Sequence, residues 1–283
     1  MSENVVFLIA VASDHKYLKE KHGNFKYFEF SIASWKYWCE KWGVRLYIYD
    51  TPGDPEHVMH KPTWQRWFDV FDQLEENDID YNKIAVIDAS TIIKWDTPSF
   101  FDLVPNGKLN VFRSLENIRW VYQGVSGYAD FFKQHYPDFT FDLTEYISCG
   151  WQIFDKSHKP FLNKLKTFYY DNYDKIMVLQ NDKVRRGTDQ PVYNYLLQIH
   201  NVNTVQALSP SYYLNHLHRF DWFSNNWQLA DTLKSSKIPH DNYHKIPFFI
   251  HYGYIWFYSG FPQRGDRENM MKQTWGFVKN RYK

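Results

Sequence analysis

Two acidic residues stand at positions where elements of secondary structure are predicted to end or begin. Asp88 follows the apolar run Ile84–Ile87, which is typical of a strand buried on both faces of a sheet. Open α/β sheets bind ligands at the carboxyl ends of their strands, so Asp88 is a candidate site residue. Asp189, with Gln190, opens a predicted helix, where exposed backbone N–H groups favour a carboxylate.

Strands and helices alternate in the first part of the chain. Residues 5–12 form an apolar run typical of a strand, residues 27–42 show helical spacing and stop at Gly43, and residues 44–49 are again strand-like. This order is the crossover unit of a parallel sheet. A helix over residues 64–74 and the strand ending at Asp88 form a second such unit, with Arg66 off the apolar stripe of the helix.

The second part of the chain is less regular. A strand is predicted over residues 146–154, helices over 161–172 and 191–199, and an aromatic strand or loop over 248–257. Residues 116–142 show no clean periodicity and are expected to shape the acceptor side of a site. We expect one α/β domain over residues 1–283, because the chain contains no repeat, low-complexity tract or Gly/Ser linker.

Composition excludes several classes of protein. The formal net charge is only +1, so attraction to nucleic acid or an anionic membrane would need a local patch. The two cysteines, Cys39 and Cys149, lack metal-ligand spacing, so neither a disulfide framework nor a zinc site is expected. No apolar stretch reaches the length needed to span a bilayer, and the start lacks a basic signal-peptide region. We expect a soluble cytoplasmic protein, or one of the host cytoplasm if it is virus-encoded.

Aromatic residues make up 20 % of the chain. Tyr and Trp rings with polar edges suit sugars or stacked bases as well as core packing. Ala10-Val11-Ala12-Ser13 stands where a dinucleotide-binding protein would carry Gly-x-Gly-x-x-Gly, and there is no Walker A loop. A dinucleotide oxidoreductase or a phosphate-loop ATPase is therefore not expected.

Four segments in order resemble one family. They are IAVIDASTII, SCGWQIFDKS, GTDQPVYNYLL and HYGY, and the matching region spans residues 5–258. The first resembles the Asp-x-Asp region of GT-A nucleotide-sugar glycosyltransferases. The others are similar to the Asn-Ala-Gly-Val strand, the Gly-Asp-Gln-x-x-x-Asn helix start and the histidine–glycine loop of the retaining group typified by glycogenin, lipopolysaccharide galactosyltransferases and galactinol synthase.

The resemblance implies a Rossmann-like GT-A fold, with a mostly parallel central sheet flanked by helices. It divides the single domain into a nucleotide-binding half, residues 1–113, and an acceptor and catalytic half, residues 114–283. The implied enzyme is a hexosyl- or pentosyltransferase that moves a sugar from a nucleotide diphosphate-sugar, with UDP-sugar expected, to an acceptor hydroxyl with retention.

The resemblance also implies a metal site. Asp88 and His251 would bind Mn²⁺ or Mg²⁺, which compensates the charge of the leaving diphosphate. Ser90 stands where the second Asp of the family motif is expected, and a neutral hydroxyl is a weaker ligand. Either the metal is held loosely, with water and phosphate completing its shell, or cations of the protein act instead.

The remaining implied roles concern the donor sugar. Asp189 would be a nucleophile or an electrostatic stabiliser of the oxocarbenium-like centre, with Gln190 beside it. Ser148 takes the slot of the family Asn and keeps a hydrogen-bonding side chain. Gly150 would let the backbone approach the sugar, and its alternative is a simple bulge.

The donor-binding positions carry alternatives. Arg66 could contact donor phosphate or sugar, or lie on a solvated helix face. Asp14, with His15, would bind the nucleobase and ribose, or belong to a polar loop. Gly253 would belong to the phosphate loop beside His251, and His251 has the alternative of an ordinary core or loop histidine.

Three acceptor and activity hypotheses remain open. The acceptor is a carbohydrate, or it is a hydroxyl of a modified DNA base, as in phage DNA modification. For DNA, the basic run 183–186 and the stretch around Trp120 and Tyr122 would grip a strand and stack a flipped base. The third hypothesis is a non-catalytic protein that binds a sugar or nucleotide.

Overall fold

The computed structural model describes residues 2–11, 25–51, 63–114, 118–184, 188–213, 253–258 and 266–283. The predictions for Asp14, His15, His251 and residues 185–186 lie outside the described residues.

Six strands form the central sheet, in the order β2-β1-β3-β6-β5-β7. These strands are β1 (Glu3–Ile9), β2 (Arg45–Tyr49), β3 (Tyr81–Asp88), β5 (Leu109–Asn110), β6 (Trp151–Phe154) and β7 (Thr204–Val205). A separate antiparallel pair consists of β4 (Thr91–Ile93) and β8 (Ile255–Phe257). The fold is α/β with a mostly parallel sheet, as the sequence predicted.

Seven α-helices flank the strands in the part of the chain that the structure describes. They are α1 (Phe28–Trp42), α2 (Gln65–Glu76), α3 (Ile118–His135), α4 (Lys159–Asp171), α5 (Tyr173–Val178), α6 (Gln190–Ile199) and α7 (Asp266–Val278). A short π-helix, Leu179–Val184, follows α5 directly.

The chain divides into two compact units. Unit 1 contains residues 1–4, 51–86 and 103–207, and unit 2 contains residues 5–50, 87–102 and 208–283. In unit 1, β5 pairs antiparallel with β6 and parallel with β7. In unit 2, β1 and β2 are parallel, with Val5 opposite Arg45 and Ile9 opposite Tyr49. Each unit draws residues from both halves of the chain, because the chain passes between the units several times.

The first crossover unit forms as predicted, because its local signals agree with one another. Trp35, Trp38 and Cys39 occupy the buried face of α1. Gly43, with φ +62°, ends the helix and donates its N–H to the carbonyl of Cys39. Glycine adopts this left-handed conformation without the steric cost that a Cβ would bring.

Several segments differ from the sequence prediction. The strand predicted over residues 146–154 is present only at Trp151–Phe154, and the helices α5 and α7 were not predicted. β3 begins at Tyr81, not Ile84, since Tyr81 and Lys83 are buried while Asn82 is exposed. The larger error is α3, an 18-residue helix within a segment for which no element was predicted. Its two glycines, Gly124 and Gly127, weaken helix propensity. A Cβ at Gly127 would lie only 2.5 Å from a methyl carbon of Val184, so close packing with the π-helix explains why glycine is present.

A pair of glycine substitutions tests this account of local geometry. Gly43→Ala should lower the free energy of unfolding by about 1–2 kcal/mol, because alanine pays the left-handed cost. Gly276→Ala, in α7 where an added Cβ meets no atom within 4 Å, should raise the free energy of unfolding by about 0.5–1 kcal/mol. Urea titrations of both variants measure the difference, and equal signs would contradict the assignment of Gly43 as a helix cap.

Candidate active site

Asp189 lies in unit 1, directly before α6, and its side chain is almost completely buried. The carboxylate oxygen Oδ2 accepts hydrogen bonds from Arg66 Nη2 at 2.9 Å and Trp67 Nε1 at 2.6 Å. The other oxygen, Oδ1, accepts one from Thr188 Oγ1 at 2.8 Å. Both oxygens are therefore held in place by the protein.

Arg66 is buried as well, with 2 % of the residue exposed. The alternative prediction of a solvated helix face is therefore wrong. The apolar stripe of the helix placed Arg66 outside the buried face, whereas Gln65, Arg66 and Trp67 at the start of α2 are all buried. The guanidinium carbon lies 4.7 Å from the Trp67 ring centroid, and the carboxylate of Asp189 compensates the cost of removing the charge from water.

Three buried tyrosines surround this ion pair. Burial raises the pKa of Tyr128, Tyr146 and Tyr193 above the ordinary value, and the negative charge of Asp189 adds to each rise. The phenols therefore remain neutral donors at physiological pH. The hydroxyl of Tyr128 has no hydrogen-bond partner within the described ranges.

Ser148 and Gly150 lie just before β6 in the same unit. Ser148 is buried, and its N–H donates to the carbonyl of Phe112 at 2.8 Å. Its hydroxyl accepts a bond from the N–H of Gly150 at 3.3 Å. The two predicted donor-binding positions thus share one turn.

Asn194 on α6 connects this turn to the helix that Asp189 and Gln190 begin. Its side-chain oxygen accepts the N–H of Ile147 at 2.7 Å, and its amide donates to the carbonyl of Ile147 at 3.0 Å. The amide also donates to the carbonyl of Gln190 at 2.8 Å. Sequence reasoning gave Asn194 no role, although its place in the Asp-Gln-x-x-x-Asn pattern was a usable signal.

Asp88 lies in unit 2 at the end of β3 and is partly exposed. Its carbonyl accepts a bond from Thr91 Oγ1 at 2.8 Å, and Thr91 Oγ1 accepts one from Trp35 Nε1 at 2.9 Å. The N–H of Ala89 donates to the carbonyl of Ile9. These bonds fix the turn Asp88–Thr91, and Asp88 ends the strand as the sequence predicted.

Ser90 and Gly253 lie on neighbouring segments of unit 2. The buried Ser90 accepts the N–H of Tyr258 at its carbonyl, at 2.8 Å, which extends the β4–β8 ladder by one residue. Gly253 is buried, and its carbonyl accepts the indole N–H of Trp256 at 3.1 Å. Gly253 therefore belongs to the same unit as Asp88.

Arg267 on α7 bonds the segment next to Ser90, and sequence reasoning gave it no role. Its Nε donates to the carbonyl of Tyr258 at 2.9 Å, and its Nη1 donates to the hydroxyl of Tyr27 at 3.2 Å. Burial raises the pKa of Tyr27, Arg267 partly offsets that rise, and Asp88 and Glu268 add to it. No local pattern around position 267 predicted these contacts.

The donor set near Asp88 fits only part of a metal shell. Mg²⁺ requires six oxygen ligands in near-octahedral geometry. The described candidates are the carboxylate of Asp88 and the hydroxyl of Ser90, and no cluster of three or more His, Cys, Asp or Glu occurs among the residues the structure describes. A metal held here would need phosphate and water oxygens to complete its coordination.

Comparison with solved structures identifies the fold. A glycosyltransferase involved in the glycosylation of the major capsid of PBCV-1 is similar over 95 % of this chain and 98 % of its own, with TM-score 0.51 and 11 % identity. The chain has a glycosyltransferase fold of the GT-A type. The galactosyltransferase LgtC, solved with donor and acceptor sugar analogs, is similar over 97 % of this chain and 96 % of its own, with TM-score 0.45 and 13 % identity.

Mouse xyloside xylosyltransferase 1 is also similar, over 90 % of this chain and 97 % of its own, with TM-score 0.43 and 8 % identity. No protein-family model matches the chain, and no curated protein matches it. At 11 % identity, the similarity to the capsid glycosyltransferase establishes the fold alone. None of the described helices is long and apolar enough to cross a membrane.

The buried ion pair predicts a non-additive response to mutation. Arg66→Met should destabilise the protein by about 3–5 kcal/mol, because it leaves the Asp189 carboxylate buried without its cation. Adding Asp189→Leu to Arg66→Met should recover part of that loss. Chemical denaturation of the single and double variants measures the coupling.

The matched control is Lys156→Met, which removes the exposed ion pair between Lys156 and Asp80. Exposed pairs contribute roughly 0–1 kcal/mol, so this variant should stay close to the parent. Additive effects of Arg66→Met and Asp189→Leu would contradict a coupled buried pair.

Proposed function

We propose that this chain is a retaining glycosyltransferase that transfers a hexosyl or pentosyl group from a nucleotide diphosphate-sugar, with a UDP-sugar as the first candidate, to an acceptor hydroxyl. The observation that carries the proposal is the buried carboxylate of Asp189, held by Arg66 and Trp67 at the start of α6. Buried charges of this kind are costly unless function or pairing retains them. The GT-A fold supports the same reaction class.

The reaction breaks the bond between the anomeric carbon of the sugar and the leaving diphosphate oxygen, which keeps the electron pair. The acceptor oxygen forms the new bond to that carbon and releases its proton. Positive charge develops on the sugar in between. We propose that Asp189 stabilises this charge electrostatically, because hydrogen bonds from Arg66, Trp67 and Thr188 hold both its oxygens in a fixed position.

The other residues of unit 1 would orient the sugar. Ser148 and Gly150 share a turn that Asn194 ties to α6, so their polar groups keep a fixed direction. Gln190 begins α6 beside Tyr146, whose pKa reflects this contact. Fixed dipoles act efficiently in catalysis because they need no reorganisation during the reaction.

The diphosphate would bind at Asp88, Ser90 and Gly253. Mn²⁺ or Mg²⁺, held loosely by Asp88 with His251, would neutralise the leaving group when bound. Arg66, paired with Asp189, would act on the sugar side through that carboxylate. Asp14 is proposed to contact the nucleobase and ribose. The roles of Asp14 and His251 are proposed from the sequence alone.

A DNA base hydroxyl is the second candidate acceptor. Tyr122 on α3 is 58 % exposed. The packing of Gly127 against Val184 brings α3 to the segment that carries Lys183. An exposed ring could stack a base while a lysine contacts phosphate. A non-catalytic binding protein remains the alternative if no donor is turned over.

A donor panel tests the proposed activity. Purified protein is incubated with UDP-, GDP-, ADP- and CDP-sugars, each with Mn²⁺, Mg²⁺ or EDTA, and released nucleoside diphosphate is measured. We expect slow hydrolysis of at least one donor and a raised melting temperature with it. Binding without turnover would favour the non-catalytic alternative, and no response to any donor would reject both.

Asp88→Asn tests the diphosphate role with little change in shape. Because the metal and its ligands stabilise the leaving group by several kcal/mol, turnover with Mn²⁺ should fall on the order of 100-fold. The control is Asp96→Asn, a partly exposed carboxylate in the same unit that pairs with Lys94. Turnover of the control should stay within about twofold of the parent.

Salt dependence tests the DNA alternative. Binding of a single-stranded oligonucleotide should weaken steeply between 50 and 200 mM salt if phosphates are contacted. Tyr122→Ala should weaken it by about 1–3 kcal/mol through lost stacking, while Phe277→Ala, another exposed ring at 46 %, should not. If binding does not depend on salt concentration, DNA is excluded as the acceptor.

A further inference from the structure

Arg267 bonds the residue that is itself bonded to Ser90. The N–H of Tyr258 donates to the carbonyl of Ser90 at 2.8 Å. The carbonyl of Tyr258 accepts from Arg267 Nε at 2.9 Å. The backbone of one residue therefore links Ser90 to the guanidinium of Arg267.

Two further contacts fix the plane of this side chain. Nη1 donates to the hydroxyl of Tyr27 at 3.2 Å, and the guanidinium carbon lies 5.5 Å from the centroid of the Tyr27 ring. Arg267 is nevertheless partly exposed. α7 is anchored to the same segment, because the hydroxyl of Tyr258 donates to Thr274 Oγ1 at 2.9 Å. The positive charge is thus pre-positioned at the end of β3.

The environment of Tyr27 relates Arg267 to Asp88. Burial is the main cause that raises the pKa of Tyr27, Arg267 lowers it, and the carboxylates of Asp88 and Glu268 raise it further. Asp88 and Arg267 therefore both act electrostatically on one side chain, which Arg267 also bonds. With serine at position 90, this turn has one carboxylate fewer than the family motif.

We propose that Arg267 binds the diphosphate of the donor beside Ser90 and supplies part of the positive charge that a tightly held metal would otherwise provide. A planar guanidinium binds phosphate oxygens through two parallel hydrogen bonds and cannot lose its proton. This inference rests on the proposed function, and it specifies how the leaving group is held. It makes nucleoside diphosphate binding partly independent of metal.

The test measures binding of UDP, GDP, ADP and CDP by calorimetry, in Mn²⁺ and in EDTA. We expect the parent to bind at least one of them in EDTA. Arg267→Gln, which keeps a donor for the carbonyl of Tyr258, should weaken that binding at least tenfold, and Arg267→Lys should restore part of it. Restoration by charge distinguishes a ligand contact from a purely structural role.

Arg281→Gln is the matched control. Arg281 is exposed in the same unit, and its guanidinium carbon lies 5.7 Å from the Trp95 ring centroid. This variant removes the same charge and should leave diphosphate binding within about twofold. Equal losses in Arg267→Gln and Arg281→Gln would overturn the inference, as would undiminished binding by Arg267→Gln.

Asp88→Asn tests metal-independent diphosphate binding even if the Arg267 variants fail to fold. In EDTA this variant should bind the diphosphate at least as tightly as the parent, because the carboxylate that repels the phosphates is absent. In Mn²⁺ it should bind more weakly than the parent. Weaker binding in EDTA would overturn the inference, as would parent binding that requires Mn²⁺. Both results leave the proposed function standing, whereas no binding of any diphosphate under either condition would reject both proposals.

Discussion

The buried ion pair between Arg66 and Asp189 is the constraint around which unit 1 is arranged. Removing two charges from water is costly, and the pair is stable only if its hydrogen bonds are satisfied. Trp67 and Thr188 supply two of those bonds. The hydroxyl of Thr63 lies 2.9 Å from that of Thr188, so the start of α2 and the start of α6 are fixed relative to each other.

The aromatic residues make such a site possible. Trp67 packs against Tyr193 with ring centroids 4.7 Å apart, and Trp64 against Tyr169 at 4.6 Å. Large rings exclude water from the ion pair, and their polar edges still provide hydrogen bonds. Trp64 Nε1, for example, donates to Gln180 at 3.0 Å. The high aromatic content thus serves the core and the site at once.

Unit 2 meets a different electrostatic problem. Its candidate residues surround the end of a strand, where Asp88 is partly exposed and Ser90 is buried. The turn is held by Thr91 and Trp35, and the nearby cation comes from α7 through Arg267. If the donor diphosphate binds here, as we propose, Arg267 would supply positive charge that does not depend on a bound ion.

Local sequence patterns predicted the elements whose hydrophobic periodicity and capping residues indicate the same structure. The strand at Ile84–Ile87, the helix that ends at Gly43 and the helix that begins after Asp189 are all present, because periodicity and caps act over a few residues. The position of Asp88 at a strand end followed from the same run. The helix α3 was missed, because Gly127 is explained by contact with Val184, which lies far away in sequence.

The chemistry of the candidate residues depended on tertiary structure. The sequence showed that Arg66 and Asp189 exist, and suggested separate roles for them, but only the fold makes them one ion pair. Likewise, Asn194 acquires its role by bonding Ile147, and Arg267 by reaching Tyr258 and Tyr27. Helix and strand signals are local, whereas the burial and pairing of a charge depend on which distant segments pack together.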